Sequence, residues 1–377
     1  MSALVEMIQV RTRAEKREFL TFPWRVYADD PLWVPPLLSE RAKFIDPARG
    51  PFFKRGTAEF FIARRRGVPV GTICAAEDRA LNERTGDREC MFGFFDCVDE
   101  EAAGALFDHA ERWAQARGLT HLAGPINLDP EDSYGVLVEG RDRPPVILCG
   151  HSPVAYQGWF ERAGFVPLRG DNLAYEIRLD GDSPALRRTA VLAERIRKRG
   201  WITLRTPDMA RWKDEAAVIH ELLNRALAHL SDFRPYERET VEAMIEPFKS
   251  IADPELILFA EIEGRTVGWF PGIPNMNEVL IHLNGLRSPW DSLRVLRWLR
   301  YRPRCLAVKS VLILPEYWGS GAALLLFDEM ARRARARGYE WADLSLTSED
   351  NPYTPELAQR MGARIYKRYR TYRKDLA

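Results

Sequence analysis

Long apolar runs are missing from the sequence, and none approaches the roughly 18 residues that a membrane-spanning helix requires. The residues from Met1 to Phe19 mix acidic and basic side chains without an extended apolar core, which argues against a secretory signal. The formal net charge is only +1 over 377 residues, so nothing global points to nucleic acid or to an anionic membrane. We therefore expect a cytoplasmic protein with no membrane and no nucleic acid among its partners.

Cysteine and histidine are scarce as well. The five cysteines are odd in number and show no CxxC spacing, which predicts buried free thiols in a reducing compartment. The six histidines form no HExxH pattern, and Cys149-Gly150-His151 has no second pair of ligands. No metal site is expected. The length suggests two domains, each long enough for its own core.

A strand, a glycine-rich turn and a helix follow one another directly between Leu306 and Gly338. The aliphatic run ends at Pro315, the turn contains Gly319 and Gly321, and a helical pattern begins at Ala322. Such a turn exposes backbone N–H groups at the positive end of a helix dipole, which is suited to phosphate or diphosphate. The turn has no lysine followed by Ser or Thr and no GxGxxG, which excludes the common nucleotide loops.

The chain contains an internal repeat. Residues 106–118 align without gaps on residues 326–338, with eight of thirteen identical. Two weaker similarities between segments occur in the same order. Residues 63–71 resemble residues 260–268, and residues 159–165 resemble residues 357–363. Two copies of one α/β unit account for this order. A linker at 179–184 separates them, which predicts a first domain of residues 1–182 and a second of residues 183–377.

Each copy alternates strands with helices. In the first copy, the pattern predicts a hairpin turning at Gly67, a helix over 102–117, strands at 91–98 and 121–124, a short helix ending near Gly164 and a last strand at 173–179. In the second, it predicts helices over 185–199, 210–229, 238–249, 322–337 and 354–361, a hairpin over 256–270, and strands over 306–314, 341–347 and 364–376. Ser183 and Pro184 are a plausible cap and first residue of the basic helix 185–199. This helix is interpreted as a solvated linker face, with a nucleic-acid or acidic-partner patch as the alternative. The charged terminal strand is expected at a sheet edge.

The glycine turn resembles the acyl-CoA loop of the GNAT acetyltransferase superfamily, which reads approximately Pro-x-Tyr-Arg-Gly-x-Gly-x-Gly/Ala. The sequence matches it from Pro315 to Ala323, except that Trp318 replaces the family's Arg or Gln. The first copy resembles an uncharacterised tandem-GNAT group at 30–37, 51–53, 124–127 and 143–153. The resemblance implies an α/β fold (α+β with mixed sheets) of two tandem GNAT-like acyl-CoA N-acyltransferase domains.

In the first copy, Val98-Asp99-Glu100-Glu101-Ala102-Ala103 stands opposite Trp318 to Ala323. Both loop glycines are absent and three carboxylates stand at the helix start, where they would repel a diphosphate. The first domain is therefore interpreted as having a degenerate cofactor loop, and the cofactor, acetyl-CoA or another acyl-CoA, is assigned to the second. The residues that the resemblance implies for cofactor binding are Leu312, Ile313, Leu314, Trp318, Gly319, Ser320, Gly321, Ala322, Ala323 and Asn351.

The family's usual tyrosine acid is missing, because Ala358 and Phe160 occupy its places in the two copies. Candidate substitutes lie at the carboxyl end of the strand 341–347, with Glu349 or Asp350 as general base and Tyr353 or Tyr366 as acid. Asp350 and Asn351 are equally typical of turns and caps. His282, in a segment that the first copy lacks, is a candidate for the acceptor side or a packed side chain.

The leading hypothesis is an acyl-CoA-dependent N-acyltransferase enzyme that transfers acetyl to a small-molecule or peptide amine in its C-terminal domain. A non-catalytic acyl-CoA-binding or scaffold protein of the same fold is the first alternative. A tRNA-dependent aminoacyl transferase is the second. The sequence leaves the acceptor open and is compatible with a homodimer.

Overall fold

The computed structural model describes residues 4–129, 132, 134–179, 183–229, 235–246, 249, 251–298, 300–351 and 354–376. The strands are β1 (Val5–Gln9), β2 (Thr57–Arg65), β3 (Val68–Glu77), β4 (Glu89–Cys97), β5 (His121–Gly124), β6 (Val136–Glu139), β7 (Val166–Pro167), β8 (Asn172–Arg178), β9 (Ile202–Arg205), β10 (Ile257–Ile262), β11 (Arg265–Pro274), β12 (Cys305–Val308), β13 (Leu312–Ile313), β14 (Trp341–Ser348), β15 (Arg364–Arg370) and β16 (Tyr372–Asp375). The helices are α1 (Arg13–Thr21), α2 (Pro23–Val26), α3 (Leu38–Phe44), α4 (Arg79–Thr85), α5 (Glu100–Gln115), α6 (Ala155–Arg162), α7 (Pro184–Arg199), α8 (Trp212–Ala226), α9 (Arg238–Ile245), α10 (Asn277–Leu280), α11 (Pro289–Trp298), α12 (Ala322–Ala336) and α13 (Thr354–Arg360). Short 3-10 turns occupy Pro51–Lys54, Met209–Arg211, Pro254–Leu256, Asn284–Leu286 and Pro315–Tyr317.

The first sheet has the strand order β1-β2-β3-β4-β5-β16-β7. Its pairs are antiparallel except β4 and β5, which run parallel. The helix α5 covers one face because its apolar side chains recur at helical spacing, and Leu106, Phe107 and Trp113 are buried there. Phe19 from α1 packs with Phe60 on the opposite face. The sheet is therefore covered on both sides.

The second sheet has the order β6-β15-β8-β14-β12-β11-β10-β9, with β13 beside β11. It is mixed, since β12 and β14 run parallel and the other pairs are antiparallel. Buried residues of α7 and α12, such as Ala193 and Leu326, share one core with this sheet. Residues of α8 and α9, such as Leu223 and Val241, form a second core with Phe259. Helices thus cover both faces of the second sheet.

The two halves of the chain exchange strands. The strand β8, from the N-terminal half, lies between β14 and β15 of the second sheet. The last strand, β16, crosses back and pairs with β5 and β7 of the first sheet. The division at residues 182 and 183 stays a prediction, and Asp180, Gly181 and Asp182 of the linker lie outside the described residues.

The expectation of one terminal edge strand over 364–376 was wrong. The segment forms two strands, β15 and β16, and each has a neighbour on both sides. The charged residues of this segment suggested an exposed edge, but one of them, Lys367, is 0% exposed. Its ammonium donates to the backbone carbonyl of Arg143 at 2.7 Å and to that of Gly140. Burial lowers the pKa of Lys367 to about 8. Backbone carbonyls replace water around this ammonium.

Most predicted elements are confirmed, including the hairpin β2–β3, the strand β5 and the helices α5, α7 and α12. Ser183 caps α7 as expected, and its hydroxyl accepts from the N–H of Leu186. The strand predicted over 306–314 is interrupted, because β11 pairs first with β12 and then with β13 and skips the residues between them. Within the described chain, no helix is both long enough and apolar enough to cross a membrane.

Candidate functional site

One cleft runs along the junction of the two halves. Its volume is about 3450 Å³, and side chains from both halves line it. Apolar groups such as Trp33, Phe94 and Ile126 line the part from the first half, and Trp269, Met276 and Leu312 contribute from the second. Typical small-ligand pockets measure roughly 300–1,000 Å³, so this cleft has room for much larger ligands.

The glycine turn borders this cleft between β13 and α12. Gly319 and Gly321 both adopt a positive φ, +79° and +94°. A Cβ built on Gly319 would meet nothing within 4 Å, so its backbone is open to a ligand. The helix α12 has no side-chain cap from Gly321, and only the Ser320 hydroxyl approaches its first N–H, that of Ala322, at 3.2 Å. These open backbone donors at a helix start fit the diphosphate of an acyl-CoA.

The second glycine of the turn has a different role. A Cβ on Gly321 would lie 2.5 Å from Ile196 Cδ1 of α7. A side chain at position 321 would therefore displace the end of Ile196, and the φ of +94° itself favours glycine there. Only Gly319 remains as the position where a side chain would enter open space.

The corresponding helix start in the first half is occupied by its own side chains. Asp99 caps α5 by accepting from the N–H of Ala102 at 2.9 Å. The Asp99 carboxylate also accepts two hydrogen bonds from Arg65, at 2.7 and 2.9 Å, and Glu101 lies 2.9 Å from the same guanidinium. An anion would meet the carboxylates of Asp99 and Glu101 at this helix start, and this geometry supports the interpretation of a degenerate loop.

The interruption between β12 and β13 places a lysine at the cleft. Lys309, Ser310 and Val311 line the cleft, and Ser310 has a φ of +54°, which is uncommon for a residue with a side chain. The ammonium of Lys309 donates to Ser345 Oγ at 2.7 Å and lies 3.3 Å from the Asp343 carboxylate. Burial opposes the charge on Lys309, but the neighbouring Asp343 carboxylate favours it, and the pKa of Lys309 lies above its usual value.

Groups behind Lys309 hold it in place. Asp343 is fully buried, and its second carboxylate oxygen accepts from the Tyr366 hydroxyl at 2.7 Å. Burial and the neighbouring Asp343 raise the pKa of Tyr366 well above its ordinary value. Cys149 Sγ lies 3.2 Å from Ser345 Oγ, and burial raises the pKa of this thiol. The result is a fixed cation at this point of the cleft wall, backed by a carboxylate and neutral polar groups.

A histidine and a carboxylate of the first half lie nearby on the cleft wall. His151 Nε2 is 2.7 Å from Asp30 Oδ2. Because a carboxylate only accepts hydrogen bonds, Nε2 carries the proton and Nδ1 keeps its lone pair. Nδ1 is buried and has no hydrogen-bond partner in the described part of the chain. Burial lowers the pKa of His151, although Asp30 opposes this.

A hydrogen-bonded tyrosine and aspartate lie beside the His151–Asp30 pair. The Tyr27 hydroxyl donates to Asp96 Oδ1 at 2.9 Å and also contacts the His151 carbonyl at 3.1 Å. Burial raises the pKa of Asp96 to about 7. Tyr27 stacks on Trp33 at 4.9 Å between ring centres. This pair anchors the segment around residues 27–37 against the cleft.

The structure places the predicted catalytic residues at several different points. Glu349 pairs with Arg368 at 3.0 Å, and Asp350 accepts from the N–H of Gly170 at 2.8 Å. Tyr366 lies behind Asp343 and does not line the cleft. Tyr353 lies outside the described residues.

Most of the predicted cofactor residues line the cleft, namely Leu312, Ile313, Trp318, Gly319, Gly321, Ala323 and Asn351, whereas Leu314, Ser320 and Ala322 do not. Leu312 and Leu314 are buried in β13 and beside it, and the carbonyl of Ile313 accepts from Trp318 Nε1 at 3.0 Å. The Trp318 and His229 rings pack edge to face, with ring centres 5.1 Å apart. The Asn351 side chain accepts from the N–H of Thr354 at 3.0 Å and so caps α13. His282 stacks on Trp298 at 4.0 Å and does not line the cleft.

Lys309, Asp343, Asp30 and His151 were not identified from the sequence. Lys309 sits inside what reads as a plain strand, and the interruption that exposes it has no sequence pattern of its own. His151 was noted only as half of a metal pair. Its partner Asp30 is 121 residues away, so only the fold brings them together.

The chain is similar to known proteins in sequence and in fold. The family model of the acetyltransferase (GNAT) family matches residues 219–363. A protein of Caulobacter vibrioides named bacterial ceramide synthase is 32% identical over 389 aligned positions, covering 100% of this chain and 98% of that protein. Protein YghO of Escherichia coli K12 is 31% identical, covering 97% and 95%.

A solved tandem GNAT protein from the clavulanic acid biosynthesis pathway has the same fold. It superposes with a TM-score of 0.57 at 13% identity, over 99% of this chain and 98% of that one. Together with the glycine turn and the two mixed sheets, these matches leave one assignment: the chain belongs to the GNAT family of acyltransferase enzymes and carries two GNAT-type folds in tandem.

Proposed function

We propose that the protein transfers a long-chain acyl group from coenzyme A to the amine of a long-chain amino alcohol, forming an amide. The observation that carries this proposal is the cleft of about 3450 Å³, lined largely by apolar groups of the described residues, that begins at the glycine turn and continues between both halves. An acetyl group and a small amine would leave most of that space unused. The acyl group proposed here is thus longer than the acetyl group expected from the sequence.

The acceptor class comes from the full-length relative. The Caulobacter vibrioides protein is named for ceramide synthesis and matches this chain from end to end. A ceramide is an amide between a fatty acid and a long-chain amino alcohol, so both partners of the reaction are apolar chains with a polar end. Burial of such chains is favourable at roughly 0.8 kcal/mol per CH₂, and the lining of the cleft matches that requirement.

The acyl-CoA would be held at the glycine turn. The turn from Trp318 to Ala323 would receive the diphosphate, with Gly319 at its open point. The N–H groups of Trp318 and Ser320 already donate to backbone carbonyls within the turn, so the remaining N–H groups of the segment are the proposed donors. The strand residues Leu312 to Leu314 and Asn351 stay predicted contacts of the coenzyme. Coenzyme A supplies the thioester that activates the acyl group, and its thiol, with a pKa near that of an ordinary thiol, about 8.5, leaves with little assistance.

Lys309 is placed to stabilise negative charge on the acyl carbonyl oxygen. It is the cation at the strand interruption, and its side chain is 13% exposed on the cleft side. A fixed positive group in a water-poor site stabilises developing charge better than mobile water does. Asp343, Ser345 and Tyr366 act as positioning residues that hold the ammonium in this place.

His151 is placed to accept the proton that the amine loses as the new C–N bond forms. Its Nδ1 is buried and has no hydrogen-bond partner among the described residues, so the amine reaches it when the groups that cover it move aside. Asp30 fixes the tautomer through Nε2. The nucleophile-side base would then come from the first half of the chain and the carbonyl-side cation from the second. Glu349, Asp350 and Tyr353 remain alternative predictions for proton transfer.

Product analysis with matched substrates tests the proposal. The full-length protein is incubated with palmitoyl-CoA or acetyl-CoA, and with sphinganine or a three-carbon amino alcohol. Free thiol and the amide product are measured by absorbance and mass spectrometry. We expect kcat/KM to be at least tenfold higher for the long-chain pair. Amide formed only from acetyl-CoA would contradict the proposal, and product that depends on charged tRNA would favour the aminoacyl transferase.

A further inference from the structure

The helix α11 carries an apolar stripe that faces outward. Trp290, Leu293 and Leu296 are 78%, 59% and 68% exposed. Their three-residue spacing places them along one side of the helix. Single exposed apolar residues are ordinary, but three large ones in a row on one helix mark a contact surface.

The inner side of α11 is firmly attached, so the stripe is not a frayed end. Asp291 is 4% exposed and accepts from the Ser288 hydroxyl at 2.9 Å and from the Ser288 N–H at 3.0 Å. Asn284 also donates to this carboxylate. Trp298 stacks on His282 with its ring plane nearly parallel, at 3°. The outward direction of the apolar side chains is thus fixed by the fold.

The charge around the stripe is strongly positive. From Arg287 to Arg304 the sequence has six arginines and one acidic residue, Asp291. Two of these arginines have acidic partners, since Arg294 lies 3.5 Å from the buried Asp291 and Arg304 pairs with Glu340. Arg294 and Arg297 are exposed beside the stripe. This excess of positive charge is local, since the whole chain has a formal net charge of only +1. A helix with Trp and Leu on one face and arginines along its border is typical of elements that lie in the interface of an anionic membrane.

The helix is also connected to the cleft. Just before α11, Met276, Asn277 and Leu280 line the cleft wall. Trp24 donates to Asn284 Oδ1 at 2.8 Å and packs on Trp33, another cleft residue, at 5.1 Å. The outward stripe and the cleft wall therefore belong to one continuous layer.

We propose that α11 docks the protein on the surface of an anionic phospholipid bilayer. The side chains of Trp290, Leu293 and Leu296 enter the boundary between head groups and acyl chains, and the arginines contact lipid phosphates. Docking of this kind brings the cleft residues that precede α11, such as Met276 and Leu280, near the lipid surface. The proposal departs from the absence of a membrane partner expected from net charge, and it does not depend on the identity of the acceptor.

Co-sedimentation of the full-length protein with vesicles tests this. Vesicles of phosphatidylglycerol and phosphatidylcholine are compared with vesicles of phosphatidylcholine alone. We expect at least tenfold tighter binding to the anionic vesicles and a loss of at least tenfold in the triple variant W290S/L293S/L296S. The variant V154S/V166S is the control, because Val154 and Val166 are 69% and 59% exposed elsewhere, and it should bind as the parent does. R294Q/R297Q should weaken binding severalfold and reduce its salt dependence.

Two further measurements separate this proposal from the proposed function. The triple variant should melt at the temperature of the parent, since the replaced side chains are exposed, and should retain turnover with substrates dispersed in detergent. Equal binding of parent and triple variant, or no binding of the parent to anionic vesicles, overturns the proposal. A dimer of the parent that the triple variant abolishes, without vesicle binding, overturns it in favour of a second copy. None of these outcomes depends on which amine is acylated.

Discussion

Lys309 and Asp343 form an ion pair of 3.3 Å at the cleft wall, with the lysine side chain 13% exposed and the carboxylate 0%. The strand interruption at Lys309 and the parallel neighbour β14 bring the two together. A buried charge that loses its partner destabilises a protein by about 3–5 kcal/mol. Replacing Lys309 alone should therefore affect both the stability of the fold and the proposed catalysis. Replacing both residues of the pair distinguishes the two effects.

Lys309→Met should lower kcat about 100-fold or more, because the cation proposed to face the carbonyl oxygen is lost. It should also destabilise the fold, since Asp343 is left buried without its partner. The double variant K309M/D343N should recover most of the melting temperature but not the turnover. Steady-state kinetics and thermal unfolding of the parent, K309M and K309M/D343N measure whether stability recovers without turnover. Recovery of turnover together with stability would show that Lys309 serves only the fold.

Gly319→Asp should weaken acyl-CoA binding at least tenfold, which corresponds to about 1.4 kcal/mol. The new carboxylate would stand in open space where the diphosphate is expected, and like charges at that distance repel. Gly319→Asn is the matched control, because Asn has the same shape, tolerates a positive φ and carries no charge. It should bind acyl-CoA within about threefold of the parent protein in calorimetry. Equal weakening by Asp and Asn would contradict a diphosphate at this turn.

The pH dependence of kcat tests His151. The proton acceptor must be neutral, and burial lowers the pKa of His151, so the acid limb should have its midpoint below the ordinary value of about 6.5. His151→Asn should lower kcat about 100-fold and remove that limb. Asp30→Asn should shift the limb to lower pH, because the Asp30 carboxylate raises the pKa of the imidazole.

The control for His151 is another histidine with a lowered pKa. His109 packs on Phe61 at 4.3 Å, and burial lowers its pKa as well, but it does not line the cleft. His109→Asn should therefore retain both kcat and the acid limb. An unchanged limb in His151→Asn would assign it to a different group.

Asp96 should make stability fall as the pH rises. Its pKa is raised to about 7, compared with an ordinary value of 3.8, so between these values the folded state holds a proton that the unfolded state has released. Stability therefore declines across this window as the pH rises, and the loss is complete above pH 7. Asp96→Asn should be close to the parent at pH 4 and more stable by several kcal/mol at pH 8. Urea unfolding at both pH values measures the difference, and a constant difference would contradict the buried neutral carboxyl.

A chain that ends at Arg370 should lose the fold of the first sheet. It lacks β16, whose Tyr372 is fully buried and whose backbone pairs with β5. Limited proteolysis should then cut within residues 57–124, which the full chain protects. Tyr372→Phe is the control, because the Tyr372 hydroxyl has no hydrogen-bond partner among the described residues. Protection of 57–124 in the shortened chain would show that β16 is dispensable.

The sequence predicted the repeated units and the glycine turn because these depend on local patterns. Apolar spacing located α5 and α12, and Ser183-Pro184 located the start of α7. The sequence did not predict that β8 joins the second sheet and β16 the first, because long-range packing determines the neighbours of a strand. The candidate site likewise contains residues that local patterns predict and residues that only the fold brings together. Gly319 could be read from its motif, whereas the Asp30–His151 and Lys309–Asp343 pairs exist only after the chain has folded.

The exchange of β8 and β16 ties the two walls of the cleft into one rigid frame. A hinge motion of one sheet against the other would have to break the hydrogen bonds of β8 with β14 and β15, or those of β16 with β5. We therefore expect substrates to enter and leave by movement of side chains and loops, with little change in the distance between the two sheets.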